Sequence, residues 1–304
     1  MTMSNVLTQT IVYVVLLFAG YGFKKAGIFK VEDTDFLKKV ILYLTMPAMA
    51  VNGLKDLELQ PSFLWCFLVG FGTSTILMLV GMAATRKKSP EEKVMYLFNF
   101  NTYNIGNFAI PFLTGLLSTD GFAALCLFDI GVAIYLYGID YSLAEAVKGG
   151  KSRFSLKFLL KKIFTSPITD MYLLMILLAA LHLRLPEPVL KLASVMGNAN
   201  AFLAMLSIGI LFELKLDRKN LWEMVKFFAL RYGTILVIMA GVILFIPFSP
   251  DIRQAICVLL AAPVASIAPL LTQNAGGDGA KAAQINSISI LLGIAGMMIV
   301  YALV

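Results

Sequence analysis

Between Asn99 and Pro111 an otherwise apolar run carries Asn99, Asn101, Thr102, Asn104, Gly106, Asn107 and Pro111. A side-chain amide both donates and accepts hydrogen bonds. Asn101, Asn104 and Asn107 therefore suit a bound carboxylate, or backbone groups that a helix has left free. Pro111 predicts that such groups exist, because a proline inside a helix removes one backbone donor and clashes with an upstream carbonyl. Lipid offers a freed backbone group no partner, so protein, water or ligand must meet it. The expected chemistry is recognition at a break in a membrane-crossing helix, predicted within Asn104–Pro111. A second apolar run, Ala261 to Leu271, is interrupted in the same way by Pro263, Ser266 and Pro269. The half-helices beyond the breaks are expected to start near Asn107 and Ser266. Their unpaired N–H groups and positive dipole ends favour an anion. The competing reading of the asparagines is polar glue between helices.

Other polar residues lie in apolar surroundings. Asp129, in LCLFDIGVAIY, is the acid most enclosed by apolar neighbours. An ionisable group inside a span is costly and points to function, here a proton or sodium coupling site facing the breaks. A structural acid bonded to broken backbone is the alternative. Asp140 and Glu145 are expected near the cytoplasmic end, in water. Asp170 opens a helix and complements its dipole. Asn198 and Asn200, and Asn52 with Pro47, are placed on a wall beside the breaks, Asn198 as a substrate ligand; Asn286 and Ser289 are weaker candidates. His182 is expected to be structural, and Gly115, Gly131 and Gly138 to allow close helix approach. No catalytic set and no metal cluster is evident. A pair of facing carboxylates would need Asp278 opposite Asp129, and Asp278 falls in the turn Gly276–Gly279.

The elements that carry these residues follow from composition. The chain is 59% hydrophobic and 14% charged, against about 45–50% and about 25% for a soluble domain. It is an all-α polytopic membrane protein. Ten spans are predicted, near 6–23, 36–54, 62–85, 94–117, 121–146, 167–185, 188–212, 225–248, 253–275 and 281–303, each close to the ~20 residues a bilayer requires. Basic residues gather in alternate loops: Lys24 to Lys39, Arg86 to Lys93, Lys148 to Lys162, Lys215 to Arg231, and Lys281. That side is cytoplasmic, which puts both termini outside and accounts for the net charge of +7 without nucleic acid. Cys66, Cys126 and Cys257 all sit in apolar segments, which argues against a disulfide framework. Met1 to Thr10 lacks a basic residue, so no cleaved signal peptide is expected.

The chain repeats itself. With Pro111 set over Pro269, Thr114 meets Thr272, Asp120 meets Asp278 and Gly121 meets Gly279. Five spans per half is odd, so the second half enters the membrane the other way up. The predicted organisation is two inverted five-helix repeats, 1–147 and 167–304, joined by a cytoplasmic linker, 148–166. Within the linker, Phe154, Phe158 and Leu159 share a helical face opposite Lys157 and Lys161, as in an amphipathic helix lying on a leaflet.

Three segments, GYGFKKAGIFKVEDTDFLKKVILYLTMPAMAV, NTYNIGNFAIP and AAPVASIAPLLTQNAGGD, resemble the auxin efflux carrier family of membrane transporters. The resemblance covers essentially the whole chain and looks bacterial in its short loops. It implies two proline-broken crossover helices, with Asn104, Gly106 and Pro111 in the first and Pro263 and Pro269 in the second. It implies a scaffold of spans 1, 2, 6 and 7 that forms a homodimer, and a moving core of spans 3–5 and 8–10. The chain departs from the family pattern at Tyr103, where glycine is common, and in the four residues between Gly106 and Pro111. The expected function is secondary transport of a small organic anion, such as malate, malonate or an auxin-like acid, by an elevator mechanism in the inner membrane. The alternatives are a cation/proton antiporter using Asp129 and a non-transporting sensor. No enzyme activity or cofactor is expected beyond proton or sodium coupling.

Overall fold

A computed structural model describes residues 3–148, 156–212 and 221–304. Among the described residues all regular structure is helical. The helices are α1 (Met3–Lys25), α2 (Thr34–Val40), α3 (Met46–Leu54), α4 (Ser62–Ala84), α5 (Pro90–Phe100), α6 (Ile110–Leu113), α7 (Thr119–Ile134) and α8 (Asp140–Val147). They continue as α9 (Leu156–Ile163), α10 (Pro167–Ala180), α11 (Glu187–Asn198), α12 (Asn200–Leu211), α13 (Leu221–Phe245), α14 (Pro250–Leu260), α15 (Ala268–Asn274) and α16 (Gly279–Leu303). Three wider π-helical stretches, Ile41–Thr45, Ile105–Ala109 and Tyr135–Ile139, join α2 to α3, lead into α6, and join α7 to α8. Among the described residues, five rods are long and apolar enough to cross a membrane: Ser62–Ala84, Thr119–Val147, Glu187–Leu211, Leu221–Phe245 and Gly279–Leu303.

Helix starts follow local chemistry. The dipeptide Ser-Pro opens both α5 and α14, at Ser89–Pro90 and Ser249–Pro250. Proline suits the first helical position because its missing N–H would be unpaired there anyway. The Ser89 hydroxyl accepts from Glu92 N–H at 3.4 Å, an N-cap bond. Ser118 caps α7 and Asp278 caps α16, accepting from Gly121 and Lys281 N–H at 3.2 and 2.9 Å. Asp120, aligned with Asp278 in the sequence repeat, does something else: its carboxylate accepts from Gln60 Nε2 at 2.6 Å.

Small residues set the closest packing. A Cβ on Gly131 of α7 would lie 2.6 Å from the Phe67 carbonyl of α4, so these helices touch backbone to backbone. A Cβ on Gly20 of α1 would stand 2.5 Å from the Leu206 carbonyl of α12. Gly115 differs from expectation. Its φ of +80° makes it a turn residue after α6, a conformation glycine adopts without steric cost. Gly138 lies within the π-helical stretch before α8.

Two packing groups result. In one, α1 lies on α12 and α3 on α10 and α11; in the other, α4 lies on α7, α7 on α14, and α16 on α14 and α15. They meet where α3 touches α7 and α12 touches α6. In the linker, α9 buries Leu159 and packs on Tyr135–Ile139, while Leu160 and Lys161 are exposed. Phe154, also on the predicted face, lies outside the described residues, as do Lys151, Arg153, Lys215, Arg218 and Lys219.

Candidate functional site

Two helices are interrupted, and the first break lies upstream of its expected place. α5 ends at Phe100, residues 101–104 leave helical form, and Ile105 begins the second half. Pro111 does not break the helix. It lies in α6, directly after the π-helical stretch Ile105–Ala109, within a helical run that starts at Ile105 and continues past it. The half-helix begins with a π turn closed from Ala109 N–H to Asn104 O at 2.9 Å. In the second interruption α14 ends at Leu260 and α15 begins at Ala268, slightly beyond Ser266. Pro263 lies in this break, and Pro269 in the first turn of α15. The two breaks touch: Asn104 N–H donates to Pro263 O at 2.8 Å. On the open side of this contact, Asn107 Nδ2 donates to Ser266 Oγ at 3.3 Å, and both residues are exposed.

The two breaks are held by different chemistry. The last carbonyls of α5 have no intrahelical donor and form the negative end of its dipole. Arg231 of α13, fully buried, supplies donors to them. Its guanidinium donates to Phe100 O, to Thr102 O at 2.8 Å and to Asn99 O at 3.4 Å, and lies 4.8 Å above the Tyr103 ring. Ser74 Oγ donates to Asn101 O at 3.2 Å, and Asn101 Nδ2 to Asp140 Oδ1 at 2.9 Å. Asn99 Nδ2 ties α5 to the second half, donating to Thr272 Oγ1 at 2.9 Å. The second break has neutral partners. Asn286 Nδ2 donates to Val264 O and Ala265 O at 2.9 and 3.1 Å, and Val264 N–H donates to Ser289 Oγ at 3.1 Å.

The predicted residues thus divide. Asn107 and Ser266 come together and are open. Asn104 is 3% exposed, and its Nδ2 has no hydrogen-bond partner among the described residues. Asn101 is fully buried against Asp140. Gly106 is pressed on α3: a Cβ there would stand 2.9 Å from Met46 Cε. Asn198 is exposed at the end of α11, with no hydrogen bond to either break among the described residues. Its neighbour Asn200 is the buried one, accepting from Thr45 Oγ1 at 2.6 Å. Asn52 Nδ2 donates to Ala193 O at 3.0 Å, a bond between α3 and α11.

Asp129 does not join the breaks by any hydrogen bond among the described residues. Its electrostatic neighbours are Cys126, Tyr137 and, on α10, Tyr172. The acid tied to the first break is Asp140, expected in water and in fact 0% exposed. Arg231, grouped with the loop charges by the charge pattern, is interior. Its setting, FFALRYGTI, held the signal: an arginine enclosed by apolar residues well inside a span.

Over residues 6–301 the sequence matches the membrane transport protein family, of the auxin efflux carrier type, and the chain belongs to that family. A comparison with curated proteins found no match. The protein is an integral membrane transporter, and the family is one of transporters rather than enzymes. A bilayer and a transported substrate are its obligatory partners.

Proposed function

We propose that the protein is a secondary active transporter of a small organic anion, a carboxylate such as malate or malonate or an auxin-like acid. The carrying observation is the meeting of two interrupted helices at Asn104 and Pro263, with Asn107 and Ser266 exposed beside the contact. An amide and a hydroxyl can both donate to a carboxylate. The positive dipole ends of the second half-helices add to the attraction. Interrupted helices in corresponding halves are where substrate sites of such transporters are expected.

The architecture behind this reading is ten spans in two inverted repeats, 1–147 and 167–304, around the linker 148–166, with the two breaks as crossovers. The Ser-Pro start shared by α5 and α14, two residues out of the Pro111–Pro269 register, supports the repeat. The separation into two packing groups supports an elevator, in which α4–α8 and α13–α16 move against α1–α3 and α10–α12. Loop charge favours extracytoplasmic termini in the inner membrane, and a homodimer would form through the static helices. A cation/proton antiporter using Asp129 has less support, because Asp129 has Tyr172 as an electrostatic neighbour and makes no hydrogen bond to either break among the described residues.

The test is saturable uptake of labelled malonate, malate and indole-3-acetate into proteoliposomes. Flux of one of them carries the proposal. Ion flux without any carboxylate would establish the antiporter instead, and binding without flux a sensor.

A further inference from the structure

We propose that Asp140 carries a proton in this arrangement and pairs with the Asn101 amide at two points, so that its protonation fixes the first break. One point is present: Asn101 Nδ2 donates to Asp140 Oδ1 at 2.9 Å. The other halves of both groups, Asp140 Oδ2 and Asn101 Oδ1, are buried without any hydrogen-bond partner among the described residues. Both atoms are acceptors when Asp140 is ionised, so neither satisfies the other. A single proton on Oδ2 turns it into a donor and gives Asn101 Oδ1 the hydrogen it lacks. A planar carboxylic acid and a planar amide then share two bonds, and two orphaned atoms are satisfied at once.

No ion pair competes for Asp140 among the described residues. The titratable groups on the elements around it are few. The helix it opens carries Tyr141 and Glu145; the preceding turn, Tyr135 and Tyr137; α7, Cys126, Asp129 and, at its far end, Asp120; α4, Cys66. From α5 come Tyr96 and, at its far end, Glu91, Glu92 and Lys93; from α9, Lys157 and Lys161. Arg231 is the cation of the first break, and its donors go to Asn99, Phe100 and Thr102 carbonyls. Those carbonyls flank Asn101, and Asn104, three residues on, holds Pro263. Release of the proton to water would leave both oxygens as buried acceptors without a donor at the first residue of the break. The joint with the second break loosens as a result, and proton occupancy becomes linked to the anion gap. This last step rests on the transport reading.

Infrared spectroscopy of the purified full-length protein separates the two ideas. Near neutral pH the wild type should show a carboxylic-acid C=O component that is lost in Asp140→Asn. In Asn101→Leu the same component should shift, because the carbonyl has lost its amide donor. A component unchanged in both variants overturns the proposal. So does its absence from the wild type together with an Asp140-dependent rise in thermal midpoint on adding sodium, which would make the occupant a cation. In proteoliposomes, malonate uptake should vary with pH in the wild type and lose that variation in Asp140→Asn; persistence of the variation overturns the coupling. If the wild type moves no carboxylate while Asp140→Asn still removes the component, the transport reading fails and the protonated pair stands.

Discussion

Asparagines of similar sequence setting do different work, and what each faces decides it. Asn101 is buried on a carboxyl group and Asn107 is open beside Ser266. Asn107→Ala should weaken malonate binding about tenfold, the loss of one charge-assisted bond of roughly 1.5 kcal/mol. Its thermal midpoint without ligand should not change, since an exposed amide leaves no buried group unpaired. A thermal-shift titration reads both. Arg231→Met should act on stability instead. It strips the Phe100 and Thr102 carbonyls of their donor, at about 1–3 kcal/mol for each buried acceptor. Arg231→Lys should recover little of this, because one ammonium cannot reproduce a fork that reaches several carbonyls. Denaturation midpoints of both variants check the expectation.

At the scale of the helix, the sequence made the interrupted elements visible but misplaced the first interruption. Proline does not by itself set the break: Pro269 sits in the first turn of α15, where it is tolerated, and Pro111 follows the wider π-helical stretch Ile105–Ala109, an irregularity of the kind that accommodates a proline inside a helix. The chain actually leaves helical form at Asn-Thr-Tyr-Asn, 101–104, a stretch whose polar side chains offer local alternatives to helical bonding. Arg231 and Asp140 were obscured for a related reason. Counting charge by nearness to a loop ignores depth, and both lie inside helices where burial depends on the face presented. The packing of helices was less legible still, since it depends on which glycine meets which backbone. Gly131→Leu should cost about 1–3 kcal/mol by overpacking the α4–α7 contact. The corresponding change at Gly72, where a side chain meets open space, should cost far less; paired thermal midpoints compare them.

For the whole molecule, the arrangement of two packing groups sets tests of topology and assembly. Glu32→Cys should react with an impermeant thiol reagent only from the cytoplasmic side, and Glu187→Cys only from the opposite side. Labelling of intact cells against inverted vesicles reads this directly, and the reverse pattern would overturn the orientation. The outer stripe of α11 and α12 exposes Leu192, Val195 and Phe202. If the static helices form the dimer contact, Val195→Cys should give a disulfide-linked dimer on mild oxidation, seen as a doubled mass without reductant.

The unequal holding of the two breaks has an electrical consequence. Arg231 brings a fixed positive charge to the first, while Asn286 and Ser289 bring none to the second. With Asp140 neutral, a core that shifts across the bilayer carries that charge through the field, worth about 2.3 kcal/mol per elementary charge per 100 mV if the full potential is crossed. A monocarboxylate cancels it, so the loaded step should be nearly insensitive to voltage and the return of the empty core should not be. A dicarboxylate reverses the sign. Charge displacement in the loaded step, read on a supported membrane, should therefore be near zero with a monoanionic substrate and appear with a dianionic one, and its sign reports which face the loaded core moves toward.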